Sequence, residues 1–553
     1  MPRLSYHTLL LTLFLYVPPV FSNPLHVKFV DATKEAGIDF KHFTGAFGKR
    51  YMPETMGSGC AFLDFDNDAR LDILLINGMS WRDRESSPTS KLYRNVGSDR
   101  FVDVTDAAHL SIPMYGMGTA IADYDNDGDS DVYITTLERN RLFRNNADGT
   151  FTDVTDTAGV GGESWSTSAL FFDYDRDGWL DLFVCNFIRW SKKLEIPCVI
   201  DDQFFFYCPP FAYGGRSCRL YRNLGNGTFE DVTIRAGLYN PKGKSLGVTM
   251  LDYDDDGWID LAIANDTEPN FLYHNNGDGT FTDEAVMRGV ATSEKGMARA
   301  GMGIDALDVN NDGGVALAIG NFSNEMTAFF YASDTHEFID LARTAKIGSP
   351  SFLTLTFGLF FFDFDLDGHS DLFCVNGHIE PDIAKSQPNL SYAQKPSLFR
   401  NQGDLMFEDM SDFVGFGNPG VGRGAAYGDY DGDGDLDVLV SNNGVLPEYG
   451  GASLFRNEGG NRMNFLRVKT TGTQSNRDGI GAKVVLTAGN ATQRKMVRTG
   501  GSYCSQSDKT LTFGLGDETL VESLEVIWPS GQVDRHTNLT PNRLITVIEG
   551  ETR

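Results

Sequence analysis

Aspartate recurs in this chain at the first, third, fifth and ninth positions of short loops, most of which carry glycine at the sixth. The first set is Asp64, Asp66, Asp68 and Asp72, and the second is Asp123, Asp125, Asp127 and Asp131. The pattern returns as Asp173, Asp175, Asp177 and Asp181, then as Asp252, Asp254, Asp256 and Asp260. Two later copies are Asp363, Asp365, Asp367, Asp371 and Asp429, Asp431, Asp433, Asp437. A degenerate copy between them has Asp308, Asn310 and Asp312, with Ala316 where the last carboxylate should stand. Carboxylates so spaced converge on one point when a glycine permits a sharp turn. A hard calcium ion takes about six to eight oxygen ligands, and a main-chain carbonyl plus water would complete its shell.

An EF-hand opens in the same way but needs glutamate at position twelve. Here that position holds Leu75, Ile134, Val184, Ile263, Cys374 or Val440, and the flanks are strand-like. The loops therefore read as β-turn calcium sites, five to seven in number. Loop one has Ala69 in place of glycine and loop five lacks the ninth carboxylate, so these two are the weakest. Carboxylates crowded in one short loop repel, and a divalent cation removes that cost. Magnesium fits less well because it demands strict octahedral geometry.

Other chemistry is thin. The nine histidines include no His-Glu-x-x-His, and neither a Gly-x-Ser-x-Gly elbow nor a phosphate loop is present. Glu54 and His378 adjoin expected inner strands and are the candidates for lining a central pocket. Gly301-Met-Gly303 and Gly422-Arg-Gly424 precede their strands, so they read as small residues at a crowded axis and not as a dinucleotide fingerprint.

Two further elements keep step with the loops. Leu-aromatic-Arg-Asn or a close variant follows at residues 92–95, 142–145, 220–223, 272–275, 398–401 and 454–457, while the fifth repeat has Phe329-Phe330-Tyr331. Phe-x-Asp with a following Thr or equivalent comes next, as at Phe101, Phe151 and Phe229. Each period of about 60 residues thus holds three or four short strands, the content of a propeller blade. The same Phe-x-Asp element stands before the first loop at Phe29 and is missing after residue 457. The N-terminal strand is therefore expected to complete the seventh blade and remove an open sheet edge. The fold expected is all-β: a seven-bladed β-propeller over residues 23–461, then a small β domain over 462–553.

The chain has 553 residues, 76 acidic against 47 basic, and a net charge of −29. That balance argues against a nucleic-acid partner, which needs clustered lysine and arginine. Residues 1–22 read as a cleaved signal peptide: Arg3, an apolar run over 9–17, and Val20-Phe21-Ser22. The run is too short to span a bilayer, and no later stretch reaches that length. A secreted, extracellular or periplasmic protein with no transmembrane segment in its mature form is expected. Export permits disulfides. Of the seven cysteines, Cys60, Cys185 and Cys374 lie in apolar runs and read as buried thiols; Cys198–Cys208 is the expected bridge, with Cys218 a competing partner.

The loops with Leu-aromatic-Arg-Asn resemble FG-GAP/VCBS repeats. The tail resembles the ASPIC/UnbV domain through Asn476-Arg-Asp-Gly-Ile-Gly-Ala482, Gly501-Ser-Tyr-Cys-Ser-Gln506, Phe513-Gly-Leu-Gly516 and Trp528-Pro-Ser-Gly531. Together they resemble the cartilage acidic protein family. The resemblance implies calcium-loaded blades and supplies no settled activity. The function expected is a non-catalytic protein- or glycan-binding or adhesion module; the alternative is an extracellular enzyme with its site in the central channel. A plugged channel would favour the first, and a polar funnel holding Glu54 and His378 the second.

Overall fold

The computed structural model describes residues 26–200, 204–333 and 335–551. The expected signal peptide lies outside them. Among the described residues, no helix is long and apolar enough to cross a membrane.

Seven four-stranded antiparallel sheets form between residues 28 and 458. In the third, for example, Ser166–Phe172 pairs with Asp181–Asn186, then Arg219–Asn223, then Phe229–Asp231. The first two strands are wholly buried, because each sheet is covered on both faces by its neighbours. In the outermost strand only the phenylalanine is buried, which is why the sequence keeps Phe and lets the next residue vary. First strands of successive sheets touch in chain order, and Gly422–Gly428 of the seventh touches Cys60–Leu63 of the first. The ring is closed. Its seventh sheet takes Lys28–Asp31 as outer strand, with Phe29 opposite Asn457.

The motifs that mark the repeat are hydrogen-bonding devices. In Phe-x-Asp-x-Thr, Asp231 accepts the Thr233 N–H and hydroxyl at 3.0 and 2.6 Å. The Thr233 oxygen then accepts the Leu220 N–H at 3.0 Å, fixing the outer strand to the third. Thr33 does the same for Leu454, so the N-terminal strand carries its own latch across 421 residues.

The asparagine of Leu-aromatic-Arg-Asn joins neighbouring sheets. Asn223 donates to the Tyr124 carbonyl of the preceding loop at 2.8 Å, and Asn145, Asn275, Asn401 and Asn457 make the equivalent bond to Phe65, Tyr174, Val309 and Phe364. Asn95 donates to Tyr430, which closes the circle. The fifth repeat has no such asparagine, and there the His336 Nδ1 meets the Tyr253 carbonyl at 3.0 Å. Asn223→Ala is expected to cost about 1–3 kcal/mol, because buried carbonyls would lose their donor. Denaturant unfolding checks this, and a loss under about 0.5 kcal/mol would mean the clasp is incidental.

The tail forms two sheets. Asn464–Thr471 lies between Leu511–Gly516 and, in parallel, Arg543–Ile548, while Lys483–Ala488 and Val521–Ile527 centre a four-stranded sheet. It is seated on the ring. One apolar cluster runs from Leu170, Val248 and Ile259 into Ile480, Val484 and Trp528 of the tail. The insertion in the third repeat adds a hairpin, Cys198–Ile200 with Phe204–Phe206, closed by a Cys198–Cys208 disulfide. Cys60, Cys185, Cys218, Cys374 and Cys504 are buried free thiols.

Candidate metal sites and a filled channel

Each Asp loop joins the first and second strands of its sheet, and its backbone folds around its own carboxylates. Position one organises the turn: Asp173 accepts the N–H groups of Asp177 and Gly178 at 3.1 and 2.9 Å. Asp123 and Asp363 do the same. The sixth residue adopts left-handed φ, +98° at Gly128 and +90° at Gly368. Ala69 takes φ +65°, so loop one keeps the turn at some strain.

Position nine is a staple as well as a carboxylate. Asp181 is fully buried and accepts N–H groups from Tyr174 at 3.1 Å and Asn223 at 2.8 Å, locking the loop to the third strand. Asp72, Asp131, Asp260, Asp371 and Asp437 repeat this.

Position three is the informative one. Arginine from Leu-aromatic-Arg-Asn takes one of its oxygens: Arg222 Nε lies 2.7 Å from Asp175 Oδ2, and Arg400 Nε 2.6 Å from Asp365 Oδ2. In Asp66, Asp125, Asp175, Asp254 and Asp365 one carboxylate oxygen is buried and has no hydrogen-bond partner among the described residues. A buried oxygen left unbonded is costly, and five loops repeat the same one. Groups Asp64, Asp66, Asp72; Asp123, Asp125, Asp127; Asp173, Asp175, Asp181; and Asp252, Asp254, Asp256 each bring ligand oxygens within 4.8 Å of one another. These clusters fit a metal ion.

Their electrostatics agree. Burial, reinforced by neighbouring carboxylates, raises Asp123 and Asp173 to about 7, and burial lifts Asp260 to about 9. Asp131, Asp181, Asp371 and Asp437 stand well above the carboxylate range for the same reason. A divalent cation would favour the ionised forms. Loop five differs. Asn310 donates to Asp312 at 2.6 Å and the Tyr331 hydroxyl meets it at 2.7 Å, so its fifth-position carboxylate is occupied from within. Burial raises Asp312, but these bonds outweigh it and leave the group below its usual range.

The tail docks on the same loops. Lys483 pairs with Asp252 at 2.6 Å, Arg467 with Asp429 at 2.5 Å, and Asp478 accepts the Asp123 N–H at 2.9 Å. From there residues 499–508 enter the centre of the ring. The Thr119 N–H donates to the Cys504 carbonyl, Ile304 N–H to Ser502, and Gln506 N–H to Cys60. Cys504 N–H reaches Ser168 Oγ and the Ser502 hydroxyl the Ala425 carbonyl. Tyr503 packs its ring against Phe357 at 5.1 Å and donates its hydroxyl to Met56 at 2.8 Å. The strap thus meets all seven inner strands or their flanks. A side chain on Gly118 would stand 2.7 Å from Cys504 Cα, which explains the small residues of the axis.

Glu54 and His378 lie beyond that plug. Glu54 is 1% exposed, and the Trp81 N–H and Tyr207 hydroxyl donate to its two oxygens at 3.0 and 3.1 Å. Burial pushes it up to about 7. His378 is also buried, and desolvation with the nearby Arg423 charge lowers it to about 4. Arg423 donates to the Thr55 and His378 carbonyls, so it spaces the two. Among the described residues no hydrogen bond joins the Glu54 and His378 side chains.

The FG-GAP-like repeat matches residues 64–134, 123–184, 252–319 and 363–440, and the ASPIC and UnbV family matches residues 472–553. The chain thus carries FG-GAP-like repeats followed by an ASPIC/UnbV segment. Cartilage acidic protein 1 of Homo sapiens is 30% identical over 324 residues, 58% of this chain and 46% of that protein. The Xenopus tropicalis protein of the same name is 29% identical over 316 residues, 56% and 46%. The chain spans about half the length of these relatives. Among solved structures it is similar to an Agrocybe aegerita protein described as recognising terminal N-acetylglucosamine (15% identity, TM-score 0.36, covering 66% of this chain and 82% of that one). It is also similar to BBS1N (9%, TM-score 0.40, 77% and 96%). Such scores add nothing to the fold described above. The FG-GAP segments hold all seven Asp loops whole, the degenerate fifth included.

Proposed function

We propose that this is an exported calcium-binding propeller acting as a non-catalytic module that holds an extracellular protein or glycan. The observation that carries this reading is the filled channel: Tyr503 and Cys504 occupy the volume that an enzyme site at the axis would need. Calcium is the ion assigned to the loops, because their ligands are carboxylate oxygens with left-handed turns that let the backbone close in. Loop five is the one expected to stay empty. The run over residues 9–17 and the Cys198–Cys208 bridge support export to an oxidising compartment.

The binding surface proposed is the face opposite the Asp loops. A depression of about 600 Å³ lies beside the disulfide-closed insertion, lined by Trp165, Trp190, Leu194, Arg139, Arg189 and Glu163. The Trp165 indole N–H is buried there without a partner among the described residues. Leu194, Phe205 and Phe211 of the insertion are more than half exposed. Aromatic walls with a few polar groups suit a saccharide ring or a protein loop. Arrays of extracellular glycans and matrix proteins, probed with the calcium-loaded protein, test the reading. Binding that Leu194→Asp abolishes without altering calcium content supports it; turnover of a polymer by the intact protein would overturn it.

A further inference from the structure

His274 breaks a pattern. At its place in the repeat, arginine caps the position-three carboxylate in sheets one, three and six: Arg94, Arg222 and Arg400. In the fourth sheet the imidazole stands there instead. Its Nδ1 lies 3.5 Å from Asp254 Oδ2 and 3.3 Å from Asp260 Oδ1, and that nitrogen atom is buried with no hydrogen bond among the described residues. Two carboxylate oxygens 3.3 and 3.5 Å from an unbonded ring nitrogen are what a small cation leaves room for. A tetrahedral ion with bonds of about 2.1 Å sets its ligands roughly 3.4 Å apart. The three ligand atoms form one cluster within 4.8 Å.

We propose that His274, Asp254 and Asp260 form a second metal site for a borderline divalent ion, Zn²⁺, beside the calcium loop of the fourth sheet. One imidazole nitrogen and two carboxylate oxygens are a donor set that suits Zn²⁺ and Co²⁺, whereas calcium takes oxygen alone. Water supplies the fourth ligand from the exposed side, where His274 and Asp254 are 19% and 18% accessible. Asp260 is fully enclosed and held by the Tyr253 and Asn275 N–H groups, so one ligand is fixed in advance. Asp254 Oδ1 stays unpartnered and free for the loop, so Asp254 would bridge the two ions.

The test is a Co²⁺ titration of the full, untagged chain with its loops saturated by calcium, followed by visible absorbance. One Co²⁺ per chain with a tetrahedral ligand-field band, displaced by one equivalent of Zn²⁺, is the expected result. His274→Arg restores the residue of the sibling sheets and so keeps the fold; it should remove the band and weaken Co²⁺ binding more than about tenfold, with calcium content unchanged. A band that survives in His274→Arg would overturn the proposal. So would the absence of any band in the parent protein, or displacement of Co²⁺ by added calcium, which would mean a single shared site.

Discussion

Tyr503→Ala is expected to destabilise the protein by about 3–5 kcal/mol, the range for deleting a large buried aromatic ring. Tyr503 is fully buried at the centre of the ring, where its ring meets Phe357 and its hydroxyl the Met56 carbonyl. Removing it opens a void that the closed circle of first strands cannot collapse into. The Met56 carbonyl also loses its donor. Denaturant unfolding in excess calcium measures the loss. A cost below about 1 kcal/mol would mean the strap is an ornament on a ring that closes without it. Retained stability together with new hydrolytic activity would revive the channel as an enzyme site.

Chelating the bound ions is expected to lower the melting temperature by about 10 °C or more. An ion that binds only the folded chain stabilises it by about 2.7 kcal/mol when present at a hundred times its dissociation constant, and five or six loops act together. The structure says where the loss would be felt. Without a cation, Asp123, Asp131, Asp173 and Asp181 are held above their usual range by burial and by each other. A group whose folded pKa is raised loses stability as pH climbs from its unfolded value through its folded one. For Asp123 and Asp173 that window runs from about 4 to about 7, so the chelated protein should melt lower at pH 7.5 than at pH 5. Calcium should flatten that slope. A melt indifferent to chelator at both pH values would contradict the assignment.

The repeat could be read from the sequence because its signals are local. An Asp loop is a nine-residue turn, and the Phe29 element announced that Lys28–Asp31 would complete the seventh sheet. The two weak loops were visible too, but for different reasons than the outcome. Loop one keeps its unbonded Asp66 oxygen despite Ala69, whereas loop five fills itself through Tyr331 and Asn310. What stayed hidden depends on distance along the chain. Asn223 reaches a carbonyl 99 residues away, and Thr33 latches a strand from the other end of the ring. The segment Gly501-Ser-Tyr-Cys-Ser-Gln506 marked the family, yet nothing in its composition tells that it fills the axis. That role exists only once seven strands surround it. His274 was legible as a departure from Leu-aromatic-Arg-Asn; its two carboxylate neighbours were not.

The central claim is that the Asp loops are calcium sites bracing a ring whose axis is closed. Counting calcium per chain, by elemental analysis after equilibrium dialysis of the purified protein, tests it most directly. Five or six ions per chain is the predicted result, with loop five the empty one. A count near zero would contradict the account and leave the loops as acidic turns on an otherwise intact seven-fold repeat.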